Sequence, residues 1–176
     1  ALLYTDIEVN TSSDWNPISL SGTFDGGGHT ISGEITVIEN AVGDNYGLFG
    51  VLPLGAAIQD LEVSANISAA APATAPAFYA GGIAANLLPE SKITNCTYSG
   101  TLTVKRDLSS NDEMEIGGIA GRNSGTISGC TFSGTIDVTG VTGVTDVGFQ
   151  LGGIAVNFAN GTYSDCDDTE GKILKP

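Results

Sequence analysis

Carboxylates and thiols are the side chains of this sequence with chemistry to offer. Asp165, Asp167, Asp168 and Glu170 place four carboxylates within six residues, and Asp112, Glu113 and Glu115 form a smaller acidic group. Oxygen-rich clusters suit calcium, which takes roughly six to eight oxygen ligands. The spacing, however, has neither the glycine turn and distant glutamate of an EF-hand nor the glycine-aspartate nonapeptide of a calcium-binding β-roll. Both groups read as solvated acidic turns, and calcium at Asp165, Asp167, Asp168 and Glu170 is a question for experiment.

Asp25 and His29 imitate half of an acid-base pair. No nucleophile or second carboxylate is placed to join them, so His29 reads as a turn residue that hydrogen-bonds locally. Gly26, Gly27 and Gly28 offer successive backbone amides of the kind that cradle phosphate. A phosphate loop needs a following helix and usually a lysine, whereas His29-Thr30-Ile31 continues in strand-like alternation. The sequons at Asn10, Asn66, Asn95 and Asn160 are what a chain rich in Asn, Ser and Thr produces by chance. The expectation is therefore no catalytic residue, no cofactor-binding residue and no metal site.

The elements that carry these residues repeat. A glycine-rich apolar block opens at Gly47, Gly81, Gly117 and Gly152, in steps of 34, 36 and 35 residues. A second pattern, one apolar residue followed by another three positions on, falls at Ile58 and Leu61, Ile93 and Cys96, Ile127 and Cys130, and Tyr163 and Cys166. Self-similarity at this period marks stacked repeats, each too small to bury its own apolar face. The units carry Gly, Thr, Ser, Val and Ile in alternation, as in Thr135-Ile136-Asp137-Val138-Thr139, rather than helical stripes of strong helix formers. Strands that return in register every 35 or so residues stack as parallel sheets about 4.8 Å apart.

The expected fold is all-β: a right-handed parallel β-helix, or β-solenoid, with three short strands per rung and roughly four to five rungs. The right hand follows from the preference of parallel crossovers. A single domain spans 1–176, with a leading segment, 1–46, capping four repeats of about 35 residues over 47–176. Tyr4, Trp15 and Phe24 are the residues expected to cover the open end, since an exposed terminal rung offers unpaired backbone groups. Loops are expected to leave the stack at Ala69 to Ala77 and at Asp107 to Glu115.

Register also accounts for the cysteines. Cys96, Cys130 and Cys166 fall at one inward position, with Leu61 as the equivalent residue, so they read as a column of reduced, packed thiols. An odd count prevents complete pairing, and His29 lies too far down the stack to complete a zinc cage.

The chain has 20 acidic and 6 basic residues, a formal net charge of −14. That balance opposes nucleic acid and membrane surfaces that are anionic. The most apolar stretch, Ala69 to Ala85, is broken by Pro72, Pro76 and paired glycines, and no run reaches the roughly 18 residues of a membrane span. A start at Ala1 reads as a trimmed or mature piece.

The string from Gly22 to Gly33, with Trp15-Asn16-Pro17-Ile18 before it and Gly47-Leu48-Phe49-Gly50 after it, resembles the start of β-helical regions in bacterial surface proteins. Gly117-Gly118-Ile119-Ala120-Gly121-Arg122-Asn123-Ser124-Gly125-Thr126-Ile127-Ser128-Gly129-Cys130 is similar to the GLUG-type repeat. The fourth unit departs from that pattern at Val156 and in its acidic stretch, which suggests a closing cap. The resemblance implies a secreted or cell-surface bacterial setting, as in adhesin-like proteins and the non-catalytic regions of immunoglobulin A peptidases.

Two functions follow as expectations. The favoured one is a non-enzymatic, adhesin-like binding module or structural spacer, either part of a larger surface protein or a monomer, with a host or cell-surface protein or glycan as partner. The alternative is a carbohydrate-active β-helix enzyme of the polysaccharide lyase or glycosidase type. A uronate lyase needs calcium or clustered bases, and Lys92, Lys105, Arg106, Arg122, Lys172 and Lys175 are scattered. Arg122 and Asp165 are the pair expected to be able to meet, if adjacent rungs bring their turns to one face.

Overall fold

A computed structural model describes residues 1–37, 44–70, 77–107, 113–143 and 148–175, those at 11–14 by backbone alone. The alternation of the sequence becomes alternation in space. Along Thr101–Asp107, Leu102, Val104 and Arg106 are buried while Thr101, Thr103, Lys105 and Asp107 face outward. Inward Val and Ile pack well on a pleated surface, and outward Thr keeps its hydroxyl in water.

Strands β1 (Ile7–Trp15) and β2 (Thr23–Val37) lead the chain. The first rung holds β3 (Asn45–Tyr46), β4 (Phe49–Leu52), β5 (Ala57–Val63) and β6 (Asn66–Ala70). The second holds β7 (Ala77–Gly81), β8 (Ala84–Leu87), β9 (Lys92–Thr94), β10 (Thr97–Tyr98) and β11 (Thr101–Asp107). The third repeats it with β12 (Glu113–Gly117), β13 (Ala120–Asn123), β14 (Thr126–Ser128), β15 (Thr131–Phe132) and β16 (Thr135–Thr142). The fourth has β17 (Phe149–Gly152), β18 (Ala155–Asn157), β19 (Thr162–Ser164) and β20 (Lys172–Leu174). Rungs two and three thus contain five short strands rather than three.

Equivalent strands stack in three sheets. One runs β17-β12-β7-β3, a second β18-β13-β8-β4, and the largest β19-β14-β9-β5-β2-β6-β11-β16-β20. Long β2 turns the corner, pairing in parallel with β5 through one half and with β6 through the other. The leading segment thus supplies a rung-like strand as well as a cap. Successive rungs align in register, Ile58 on Ile93 on Ile127 and Ile67 on Leu102 on Ile136, which makes this a parallel β-solenoid.

Inward columns form one continuous core. Ile58, Ile93, Ile127, Phe78, Leu102 and Ile136 are fully buried within it. Glycine lets the rungs close. A Cβ at Gly82 would lie 2.3 Å from the Tyr98 ring, and one at Gly118 would lie 2.4 Å from the Phe132 ring. At the leading end, Trp15 donates its indole N–H to Leu48 O at 3.3 Å, and Phe24 packs edge-on against Phe49. Tyr4, expected to share that covering role, is instead 81% exposed, while its neighbour Leu3 packs against the core and donates its N–H to Asp25 O at 2.8 Å.

Candidate functional site

The densest polar cluster among the described residues is built around Arg122. Register sets Tyr79 opposite Glu115 across β7 and β12, and Arg122 on β13 beside Asn86 and Val156. The Arg122 guanidinium donates from Nε to Glu115 Oε2 at 2.8 Å and from Nη2 to Glu115 Oε1 at 2.6 Å. Nη2 also donates to Glu113. Its carbon lies 4.3 Å from the centre of the Tyr79 ring and 4.2 Å from that of Phe158. Tyr79 donates its hydroxyl to Glu113 Oε2 at 2.9 Å.

The charges in this cluster satisfy one another. Glu115 is 1% exposed, and a carboxylate at that depth is tolerated because the Arg fork pairs both its oxygens. The hydrogen bond to Glu115 raises the affinity of Arg122 for its proton, against the cost of burial. Burial, followed by the bond to Glu113, pushes the Tyr79 hydroxyl up to about 12. The arrangement holds a cation between two aromatic faces and two carboxylates, and it ties the second, third and fourth rungs together.

Arg122 is not brought to Asp165. It pairs with Glu113 and Glu115, while Asp165 occupies a turn column of the largest sheet with Asp60, Asn95 and Gly129, all in the left-handed region at φ of 52°, 50°, 53° and 62° respectively. Asn95 donates Nδ2 to Asp60 Oδ1 at 3.2 Å along that column. The recurrence of Asp, Asn and Gly directly before Leu61, Cys96, Cys130 and Cys166 was its signal in the sequence, since these residues tolerate positive φ.

Nor do the acidic residues converge. Asp167 accepts from its neighbour Thr169 N at 2.9 Å, and that bond holds its carboxyl below the usual range. Asp168 turns toward Gly153. Glu113 and Glu115 go to Arg122, and Asp112 lies outside the described residues, as do Pro72 and Pro76. Among the described residues no three His, Cys, Asp or Glu side chains are grouped to hold a metal ion. His29 Nδ1 lies 3.2 Å from Asp6 Oδ1, a partner 23 residues earlier in the chain rather than the local one expected, and His29 itself sits within β2 rather than in a turn. Asp25 instead accepts from Gly27 N and Gln59 Nε2. The bases stay apart, with Lys92 and Lys105 outward on different strands and Arg106 buried over the Phe78 ring at 5.6 Å.

The thiols stack as the register requires, and all three are free. Cys96 and Cys130 are buried, and Cys96 N–H points at Cys130 Sγ at 3.4 Å. The bond to Cys130, and then burial, pushes the Cys96 thiol far up. Cys166 is only half-buried, so the expected column of packed thiols is fully packed at Cys96 and Cys130 and partly so at Cys166.

Residues 112–139 match the GLUG motif. The match covers most of the third rung, including the Gly117 to Cys130 string, and stacking in register extends its layout to neighbouring rungs: Gly81 and Gly117 pair, as do Ile93 and Ile127. No curated protein and no solved structure matches the chain. The GLUG motif here is thus one turn of a solenoid, with Gly118 beneath a ring, Ile127 and Cys130 inward, and Gly129 at the turn.

Proposed function

We propose that this β-solenoid is a non-enzymatic module of a secreted or cell-surface bacterial protein, serving as a rigid spacer or an adhesin-like lateral surface for a protein or glycan partner. One observation carries the reading: the strongest charged cluster, Arg122 with Glu113 and Glu115, is closed on itself and clamped between Tyr79 and Phe158. A catalytic carboxylate needs an open face toward substrate and a partner free to move a proton. The rest of the lateral surface supports the same view, with small hydroxyls at Thr94, Ser128 and Ser164 in one row and Thr101 and Thr135 in another.

The test is a binding screen against glycans and extracellular-matrix proteins, with and without calcium, run beside turnover assays on polygalacturonate, chitin, xylan and peptides. Saturable binding without turnover is the expected result. The rival carbohydrate-active enzyme rests on the half-exposed Glu113 beside Arg122. Glycan cleavage that is lost in Glu113→Gln, with the fold retained by circular dichroism, would establish that rival.

A further inference from the structure

The column that carries Arg122 is filled differently on each rung. Val51, Asn86 and Arg122 are in register on β4, β8 and β13. On the third rung the guanidinium closes the space against Glu115, and on the second Asn86 occupies it, with its Oδ1 buried and without a hydrogen-bond partner. On the first, Val51 leaves it open. A cavity of about 210 Å³ lies there, lined by Asn16, Pro17, Ser19, Gly50 and Val51.

The wall opposite β4 is held in place by the backbone. Ile18 donates its N–H to Leu48 O at 3.0 Å and accepts from Gly50 N at 3.1 Å, beside the Trp15 indole bond to the same Leu48 oxygen. Pro17 has no N–H, so its place in this wall leaves no donor unpaired. Asn16 and Ser19 remain exposed on either side of it. Gly50 keeps the room: a Cβ there would stand 3.4 Å from Pro17 Cβ, and a longer side chain would fill the cavity that Gly50 lines.

We propose that this cavity binds a single neutral sugar residue of a glycan, resting on the reading of the module as a lateral surface for a glycan partner. Size sets one limit. The cavity holds roughly seven waters at ~30 Å³ each and falls below the roughly 300–1,000 Å³ of pockets for drug-sized ligands, so one ring enters and the rest of the glycan stays outside. The lining sets another. Pro17 and Val51 offer apolar surface to the C–H face of a pyranose, while the Asn16 amide and the Ser19 hydroxyl each donate and accept, as neighbouring sugar hydroxyls require. A few polar groups on an apolar wall is the general make-up of a small-molecule site. Charge sets the last limit. None of the described lining residues is ionic, and a formal net charge of −14 repels an acidic sugar.

Titration of the isotope-labelled full chain with glucose, galactose, mannose, N-acetylglucosamine and glucuronate, followed by amide NMR shifts, tests this. At least one neutral sugar is expected to saturate in the millimolar range, with shifts centred on Ser19, Gly50 and Val51, and glucuronate to bind about tenfold more weakly or less. Gly50→Val, which fills the cavity, and the double variant Asn16→Ala with Ser19→Ala should each weaken that sugar by about tenfold or more. Neutral sugars that leave those amides unmoved, glucuronate that binds as tightly, or binding that survives either variant would each overturn the pocket. Asn16 and Ser19 are exposed, so their double variant carries the test should Gly50→Val fail to fold. The glycan screen separates the two readings: capture retained by folded Gly50→Val overturns the pocket and leaves the module reading standing, whereas a wild type that captures no glycan removes the glycan reading and the pocket with it.

Discussion

The thiols show how position within a rung stack sets the behaviour of single residues. Cys96, Cys130 and Cys166 have the same inward register but differ in cover, which makes their reactivity a depth gauge. Thiol labelling read by mass spectrometry should modify Cys166 first under native conditions, with Cys96 and Cys130 reacting only as the fold opens. Rapid modification of Cys96 in the intact protein would show that the column is not packed. Ile127 provides the matching energetic measure. Ile127→Ala should lower stability by about 2–5 kcal/mol, from lost burial and the cavity left between Ile93 and Tyr163, as measured by denaturant titration. Ile127→Asp should cost more, because its charge would have no partner inside.

Between rungs, the Arg122 clamp works as a cross-tie. Replacing it by lysine keeps the charge but loses both the planar fork on Glu115 and the stacking against Tyr79 and Phe158, so Arg122→Lys should lose about 1–3 kcal/mol. A near-neutral change would mean that the cluster is ornamental. The clamp also predicts an alkaline weakness. Tyr79 holds its proton to about 12 in the fold against an ordinary value of 10.0, so its contribution is intact below pH 10 and is lost as pH rises toward 12. Denaturation midpoints followed across that window should fall, and Tyr79→Phe should fall less steeply.

How these elements relate to the sequence differs by kind. The inward columns were legible because apolar residues recur at one register, as at Ile58, Ile93 and Ile127. The clamp was not, because Tyr79, Glu113, Arg122 and Phe158 do not recur: each comes from a different column, and only the offset between neighbouring strands brings them together. Arg122 was singled out as a base, yet its partner Glu115 read as part of a solvated acidic loop; nothing in the local sequence reveals that a carboxylate at that place is 1% exposed. The extra strands escaped for a different reason. Turns at Asn95 and Gly129, in the left-handed region, split each rung's strands more finely than the spacing of three between Ile93 and Cys96, or Ile127 and Cys130, discloses.

At the scale of the whole molecule, a formal charge of −14 is spread along a stack held by short, repeated contacts rather than by one central globule. Stability in such a stack is approximately a sum over rungs and the interfaces between them. That is why period was so informative about architecture and so uninformative about a ligand: the residues that repeat are the ones that pack.

The parallel stacking of rungs has a mechanical consequence. Ala1 bonds to Thr23 at the leading end, while β20 is the final row at the other, so tension through the two ends runs along the inter-rung hydrogen bonds. Such bonds yield in sequence, like a zipper, rather than all at once in shear. Stretching a tethered molecule should therefore release length in steps of about 120 Å, the contour of some 35 residues at roughly 3.4 Å each. The outermost rung should go first and at the lowest force.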